Sequence, residues 1–330
     1  MEANNANQPI VTVIVPVYRS EAYFERCCKN LFGQTLQSIE YLFIIDGPSP
    51  KTESIIASQL LAFPNRKEQV RIIFHDSNFG TSYSRQEGHE QAKGEYLYHC
   101  DSDDWLEPTA LEELYNIACQ DNSDLVFADY VRHYETSGQN VTYSSSYVLR
   151  GEINTIDGTL CNKLIRRELI TAYQLKFPSN INWGEDLCMS VLLQVVAKKI
   201  SYIPKTIYHY CLHSNSLTTS VELVKYLQLV SCPIYIDNEL KRLGRSEQYQ
   251  KLILRLKFES KEYFLIHPKL RNVSKWLSIY PECHPYIWKF TSVPFYLKLV
   301  SWLAVNNIGF LANLLLLCRE KIHQLRGVYR

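Results

Sequence analysis

The sequence predicts an α/β fold in which a doubly wound, mostly parallel sheet is flanked by helices. Four runs rich in β-branched and aromatic residues, at 9–18, 39–46, 69–75 and 96–100, alternate with three helical segments. This βαβαβαβ order with short connections is typical of parallel sheets that are covered by helices. A chain of 330 residues is long enough for one large domain with an appendage or for two domains.

The first strand lies within residues 9–18 and ends at Pro16, because proline cannot donate to a sheet ladder. Ser20 and Glu21 begin a helix that ends near Gly33, in agreement with the usual signals for helix termini. The other elements of this half follow in order: strand 39–46, a turn at 47–50, helix 51–63, strand 69–75, helix 81–92 and strand 96–100.

After residue 106 the regular alternation of strand and helix stops. The predicted elements are helix 109–120, strand 124–134, a loop or hairpin at 135–146, a strand-to-helix passage from 158, helix 187–197 and short β segments at 200–204 and 206–211. From residue 221 the sequence predicts helices alone. We therefore expect an α/β domain over residues 9–220 and a helical C-terminal region over residues 221–330.

The strand at 96–100 delivers three carboxylates, Asp101, Asp103 and Asp104, into the loop that follows it. Loops beyond the carboxyl ends of strands are where ligands bind in open α/β sheets. Clustered carboxylates repel one another, and a divalent cation such as Mg²⁺ or Mn²⁺, which prefers oxygen ligands, would offset that repulsion. The alternative is that these acids cap the helix that begins near Pro108. The spacing alone leaves both interpretations open.

The composition excludes several classes of protein. Hydrophobic residues make up 46% of the chain, which excludes a disordered protein. The net charge is +1, with 35 basic and 34 acidic residues, so no global field indicates a nucleic-acid partner. The ten cysteines form no CxxC pair, which argues against a zinc site or a disulfide framework. Because the first residues are polar and carry no secretory signal, we expect reduced thiols and a cytoplasmic location.

Six segments in a fixed order resemble glycosyltransferase family 2, the inverting nucleotide-sugar transferases of the GT-A fold, which act in bacterial polysaccharide synthesis. The segments are VTVIVPVYRSEAYFERC, YLFIIDGPS, SNFGTSYSRQEGHEQAKGEYLYHCDSDDWLEP, CNKLIRREL, WGEDL and IYHYCLHSNSLT. The resemblance covers about residues 9–220. It implies a GT-A fold and the transfer of a sugar, with a UDP-sugar as the expected donor, to a hydroxyl of a saccharide or lipid-linked acceptor.

The resemblance places the nucleotide-sugar donor at the carboxyl ends of the first strands. It implies that Asp46 accepts a hydrogen bond from the uracil N–H, although many relatives have a second aspartate where this chain has Gly47. Arg85 matches an arginine that contacts the base or the diphosphate, and a guanidinium suits phosphate oxygens. The other implied contacts of the nucleotide-sugar are Pro16, Val17, Tyr18, Asp101, Ser102 and His213.

The resemblance also assigns roles to the acidic residues. Asp103 is implied as the direct ligand of Mg²⁺ or Mn²⁺, while Asp104 is expected to cap the following helix or to support the site. Glu185 and Asp186 match the catalytic pair of the family, and Asp186 is the expected base that takes the proton of the acceptor hydroxyl. Trp183 is expected to flank the acceptor, because an apolar ring suits the C–H face of a sugar.

Two other enzyme classes need motifs that this sequence lacks. A sugar-1-phosphate nucleotidyltransferase needs a glycine-rich loop after the first strand, and residues 17–20 contain no glycine. A dehydrogenase needs a GxGxxG motif after a strand, which the sequence lacks. An aspartyl phosphatase that uses Asp101 and Asp103 and a catalytically inactive nucleotide-sugar-binding protein remain as alternatives.

The C-terminal region carries two apolar segments, 294–305 and 308–318, with Lys298 and two asparagines among and between them. A membrane span requires about 20 mostly apolar residues, so these segments do not predict one. Amphipathic helices that attach the enzyme peripherally to the inner face of the cell membrane are one interpretation. Helices that pack on the catalytic domain or form a homodimer are the other, because each arrangement needs one apolar stripe.

Overall fold

The structure is a computed structural model of the chain, and it divides into two compact units, Met1–Ser220 and Val221–Arg330. The residues that it describes are 8–135, 137–146, 158–213 and 222–325. The first unit contains the sheet and every residue of the predicted site, and the second is helical.

Among the described residues, nine strands form a single sheet in the first unit. They are β1 (Val11–Val17), β2 (Ile39–Asp46), β3 (Val70–His75), β4 (Tyr96–His99), β5 (Trp105–Leu106), β6 (Leu125–Tyr134), β7 (Gln139–Tyr143), β8 (Lys163–Arg166) and β9 (Ile200–Leu212). Their spatial order is β3-β2-β1-β4-β8-β6-β9-β5, and β7 pairs with β6. The helices are α1 (Glu21–Phe32), α2 (Pro50–Ala62), α3 (Thr81–Gln91), α4 (Ala110–Asp121), α5 (Arg167–Tyr173) and α6 (Glu185–Val196), with a 3₁₀ helix at Pro64–Gln69.

Strands β3, β2, β1 and β4 lie side by side and are parallel, as the alternating sequence pattern predicts. Parallel strands need crossover connections, and helices α1, α2 and α3 supply them. The strand predicted at 39–46 matches β2 residue for residue, and all of its residues are buried. The predicted α/β fold is therefore confirmed.

The other half of the sheet is mixed in direction. Strand β8 is antiparallel to β4 and β6, whereas β6 and β9 are parallel. The polar stretch predicted at 135–146 contains β7, which forms a hairpin with β6. The two short β segments predicted at 200–204 and 206–211 belong to one strand, β9. The register with β6 shifts next to Pro204, because proline cannot donate to the ladder.

Helix α3 approaches the sheet closely at Gly88. A Cβ atom at this position would lie 2.4 Å from Cγ2 of Ile14 on β1, so a larger residue would push the helix away. The sheet beneath is rigid, since β1 and β2 bury almost every residue. This contact fixes the height of α3 above the sheet, and Arg85 lies one helical turn before it.

The second unit has a hydrophobic core of its own, which includes Phe258, Trp276 and Leu297. Its helices are α7 (Leu223–Arg242), α8 (Gln250–Ser260), α9 (Tyr263–Ile266), α10 (Val273–Ser278), α11 (Phe295–Val305) and α12 (Gly309–Leu325), with a 3₁₀ helix at Pro281–Lys289. Within the described part of the chain, no helix has the length and apolarity that crossing a membrane requires.

Candidate active site

The candidate site lies where β1, β2 and β4 end. Because these strands are parallel, the residues that follow them meet at one edge of the sheet. Val17 is fully buried and Pro16 is partly buried, whereas the Tyr18 side chain is 42% exposed. Of these three predicted contacts of the nucleotide-sugar, Tyr18 offers the largest side-chain surface to a ligand. Pro16 and Val17 are placed to contribute backbone atoms.

Asp46 is the last residue of β2 and is almost completely buried. Its Oδ1 accepts a hydrogen bond from the Phe79 backbone N–H at 2.8 Å and lies 2.8 Å from Nδ1 of His75. Its Oδ2 accepts a hydrogen bond from the Gly80 backbone N–H at 2.8 Å. A carboxylate has about four acceptor positions, so these three contacts leave about one for a ligand.

The turn before α3 is held from two sides. Gly80 has a φ of 95°, a conformation that favours glycine, and a Cβ there would clash with the Asn182 side chain at 2.4 Å. Asn182 in turn accepts a hydrogen bond from the Ser82 backbone N–H at 3.1 Å. The start of α3 is therefore tied both to Asp46 and to the segment that leads into α6.

Arg85 connects the acidic loop after β4 with the start of α6. Its Nη2 lies 2.8 Å from Oδ1 of Asp101, and its Nε lies 3.5 Å from Oε1 of Glu185. The guanidinium is well shielded, since the Arg85 side chain is 6% exposed. The structure thus brings three predicted site residues from three separate segments into one contact.

Glu185 and Asp186 form the first turn of α6, after Gly184. Asp186 Oδ1 accepts a hydrogen bond from the Leu187 backbone N–H at 2.7 Å, and the helix dipole favours negative charge at this end. Burial raises the pKa of both carboxyl groups, and the Arg85 charge opposes that rise. The negative charge of Asp186 raises the pKa of Glu185 further. The pair therefore holds its protons more tightly than ordinary carboxyl groups do.

Asp103 lies beside His213, with 2.9 Å between Oδ2 of Asp103 and Nε2 of the histidine. The His213 ring stacks on Tyr23 of α1, with 4.2 Å between the ring centres. The predicted phosphate contact is thus next to the predicted metal ligand. The remainder of this predicted segment, residues 214–218, lies outside the described residues.

Asp104 does not cap a helix. It is buried, its Oδ2 accepts a hydrogen bond from the Tyr208 hydroxyl at 2.6 Å, and its Oδ1 accepts one from the Cys211 backbone N–H at 2.7 Å. The predicted capping role is wrong, because β5 pairs with β9 before α4 begins and carries Asp104 against that strand. The other expected role, support of the site, agrees with its hydrogen bonds to β9. Burial raises the pKa of Asp104 well above its usual range.

The other two predicted residues of the site are Ser102 and Trp183. Ser102 is buried between the two aspartates of the motif, which leaves little of its side chain for a ligand. Trp183 is partly exposed and precedes Gly184, whose φ is 99°. The Trp183 ring is therefore next to the turn that opens α6, where a sugar acceptor is expected.

Two residues of the site were not predicted from the sequence. The Tyr208 hydroxyl, besides donating to Asp104, accepts a hydrogen bond from the Asp101 backbone N–H at 3.1 Å. Arg26 on α1 donates to the Asp103 backbone carbonyl at 2.9 Å, and its guanidinium lies 3.9 Å from the centre of the Trp105 ring. Both hold the acidic loop from distant segments, and no local motif signals either role.

A divalent cation fits this site when a bound ligand supplies some of the oxygens that coordinate it. Among the described residues, no group of three His, Cys, Asp or Glu side chains is arranged to hold a metal ion. Mg²⁺ commonly uses one or two carboxylates together with water and substrate phosphates. The partly exposed carboxylates of Asp101 and Asp103 supply suitable oxygens. Burial and the charge of Asp101 raise the pKa of Asp103, a repulsion that a cation would relieve.

Known proteins with similar sequences are glycosyltransferases. The sequence pattern described as glycosyl transferase family 2 matches residues 12–173. EpsH of Bacillus subtilis strain 168, which is named as a glycosyltransferase, is 28% identical over 282 residues, which cover 81% of this chain and 78% of EpsH.

Solved structures with low sequence identity share the fold. TarS 1-349 of S. aureus in complex with UDP-GlcNAc has a TM-score of 0.68 at 18% identity and covers 90% of this chain and 87% of that one. The mannosyltransferase PcManGT of Pyrobaculum calidifontis, in complex with GDP-Man and Mn²⁺, has a TM-score of 0.52 at 12% identity and covers 94% and 86%. At these identities the likeness establishes the GT-A architecture.

Proposed function

Because this chain belongs to glycosyl transferase family 2, we propose that it transfers a sugar from a UDP-sugar to a hydroxyl of a saccharide or lipid-linked acceptor, with inversion at the anomeric carbon. The observation that carries the proposal is the contact of Arg85 with both Asp101 and Glu185. One guanidinium lies between the loop that would hold the donor and the pair that would act on the acceptor.

Asp46 and Tyr18 support a UDP-sugar as the donor substrate. The acceptor position left on the Asp46 carboxylate suits the imide N–H of uracil, because an ionised carboxylate accepts but cannot donate. The Tyr18 ring at the same edge of the sheet is exposed and can pack against a base. The UDP-GlcNAc complex of TarS supports a uridine donor, whereas the GDP-Man complex of PcManGT shows that the fold also accepts guanosine.

The diphosphate leaves with developing negative charge, and Arg85 is a cation that contacts both motifs. Its two contacts with carboxylates leave further N–H donors of the guanidinium for phosphate oxygens. Asp103, with Asp101 beside it, is the proposed ligand of Mg²⁺ or Mn²⁺. When bound, this cation would act as a Lewis acid on the diphosphate oxygens.

Asp186 is the proposed base. Inversion requires the acceptor hydroxyl to attack the anomeric carbon from the face opposite the diphosphate, and a carboxylate must remove its proton. Burial raises the pKa of Asp186 toward neutrality, which suits proton transfer at neutral pH. Trp183 flanks the acceptor in this proposal, and Arg85 keeps Glu185 next to the base.

The direct test is a donor screen with the full chain. UDP-glucose, UDP-galactose, UDP-GlcNAc and GDP-mannose are added with Mn²⁺, and thermal shift and nucleotide release are measured. We expect stabilisation and slow release with at least one UDP-sugar, and NMR of the transferred sugar should show an inverted anomeric configuration. Stabilisation without release on any acceptor would favour an inactive binding protein. Release of phosphate from simple monoesters would favour the phosphatase alternative.

We also propose that the second unit contacts a membrane surface. Phe310 and Leu314 lie one turn apart on α12 and are 76% and 53% exposed. Arg319 and Lys321 follow on the same helix, a combination that suits anionic lipid. Flotation with phosphatidylglycerol vesicles should recover the full chain, and the double variant F310E/L314E should remain unbound. A dimer in light scattering that this variant disrupts, without vesicle binding, would indicate a protein contact instead.

A further inference from the structure

His75, the last residue of β3, lies between two carboxylates. Its Nδ1 is 2.8 Å from Oδ1 of Asp46, and its Nε2 is 2.6 Å from Oε2 of Glu87 on α3. Ionised carboxylates accept and do not donate, so both ring nitrogens must donate to satisfy both contacts. Burial lowers the pKa of His75, but the hydrogen bonds to Glu87 and Asp46 outweigh it and raise the pKa above the ordinary value.

The ring is enclosed as well as paired. The His75 side chain is only 6% exposed, and the rings of Phe79 and Tyr83 approach it edge-on, each with 5.3 Å between ring centres. The charged groups against the imidazole are Asp46 on β2 and Glu87 on α3, while Tyr83 contributes a phenol. The ring itself is therefore shielded from solvent, while the Glu87 side chain stays 25% exposed.

The histidine acts on the same carboxylate that orders the turn before α3. Asp46 accepts hydrogen bonds from the Phe79 and Gly80 backbone N–H groups, and Gly80 directly precedes the helix that carries Arg85. A neutral imidazole would direct a lone pair at one of its two carboxylates. The resulting repulsion would displace either Asp46 or Glu87 from its present position.

We propose that His75 is a positioning residue for the donor: by donating from both ring nitrogens it fixes Asp46 and the 78–80 turn in the shape that receives the nucleobase. This inference rests on the proposed function, because Asp46 is the expected contact of the uracil imide. The proton on His75 is then required for tight donor binding. Affinity is full below the pKa of the histidine and falls as the pH rises through it.

The first measurement is the affinity of the full chain for UDP with Mn²⁺ between pH 6.5 and 8.5, by calorimetry. We expect wild-type affinity to fall about tenfold across the transition, equivalent to about 1.4 kcal/mol. His75→Gln should bind weakly at every pH, without the transition. Glu87→Gln removes one of the groups that raise the pKa of His75, so its transition should move to lower pH. His267→Gln, in the second unit, is the matched control and should behave as wild type.

The second measurement needs no nucleotide. In NMR spectra of the free protein, the Phe79 and Gly80 amide signals should titrate together with the His75 ring, and His75→Gln should abolish that titration. If no nucleotide binds at any pH but these signals titrate, the proposed function fails while the positioning network stands. The inference is overturned if the amides do not follow the His75 proton, or if His75→Gln binds UDP with the wild-type pH dependence.

Discussion

Replacing Arg85 with glutamine removes the positive charge between Asp101 and Glu185. Arg85 lowers the pKa of both carboxyl groups at the start of α6, Glu185 and Asp186, so its removal should raise both pKa values. Without this charge the proposed base holds its proton to higher pH. The acidic limb of the pH profile of kcat/KM should therefore move upward in Arg85→Gln.

The contacts of Arg85 give the expected size of this pKa shift. An opposite charge within about 4–6 Å lowers a carboxyl pKa by about 1–3 units, or about 1.4–4 kcal/mol. Arg85 is 3.5 Å from Glu185 and is shielded from water, so the full range applies to that pair. The limb reports the proposed base Asp186, whose neighbour Glu185 makes the ion pair, so we expect it to move upward by the lower end of this range, about one pH unit. A second loss, independent of pH, comes from the diphosphate: one charge-assisted hydrogen bond contributes about 1.5–3 kcal/mol, about 10- to 150-fold in affinity.

The assay is the rate of nucleotide release from the best donor between pH 5 and 9, with circular dichroism to show that the variants fold. Arg85→Lys keeps the charge but not the two-sided contact, so it should lose affinity while its acidic limb stays near that of the wild type. Arg71→Gln breaks a partly exposed pair with Glu40 on the same sheet and is the control. If Arg85→Gln loses rate equally at every pH, then Arg85 does not set the ionisation of the base.

Three further variants test other contacts of the site. Asp186→Asn should abolish transfer in kinetic assays while calorimetry shows UDP affinity within a few-fold of wild type, because the base acts on the acceptor; lost nucleotide binding would contradict the assignment. Asp103→Asn should weaken UDP binding in Mn²⁺ toward the level that wild type shows in chelator, and equal wild-type activity with and without chelator would argue against a cation. Tyr208→Phe leaves Oδ2 of buried Asp104 without its donor, while Oδ1 keeps the Cys211 N–H, so urea unfolding should show a loss of about 1–3 kcal/mol; an unchanged midpoint would refute this.

The parallel half of the fold could be predicted from the sequence because its signals are local. Residues 41–45 form an unbroken apolar run within the strand predicted at 39–46, and the buried strand β2 has the same bounds as that prediction. Strand β5 was not predicted, because two residues carry no periodicity and their pairing partner on β9 lies far along the chain. Strand β9 was divided at Pro204 for a sound local reason, but a shift of register lets one strand pass the proline.

The predicted acidic residues of the site lie near one another, yet the sequence could not predict which side chains contact each of them. Residue types and motif order predict Asp101, Asp103 and Glu185 as site residues, and the structure joins the first and last through Arg85. The role of Asp104 depended on whether the chain turns toward a helix or toward β9, which is decided by pairing across the sheet. The donors Tyr208 and Arg26 come from elements whose own sequence patterns indicate ordinary packing.

The four-residue acidic stretch is best understood through what holds each carboxylate. Arg85 from α3 contacts Asp101, and His213, which follows β9, contacts Asp103. Asp104 accepts hydrogen bonds from Tyr208 and Cys211 of β9. Asp104 is buried and satisfied, so it fixes the loop, whereas the other two are partly exposed and retain free acceptor capacity. Capping is thereby excluded for Asp104: this acid anchors the loop to the sheet, and its two neighbours keep carboxylate oxygens for the proposed diphosphate and cation.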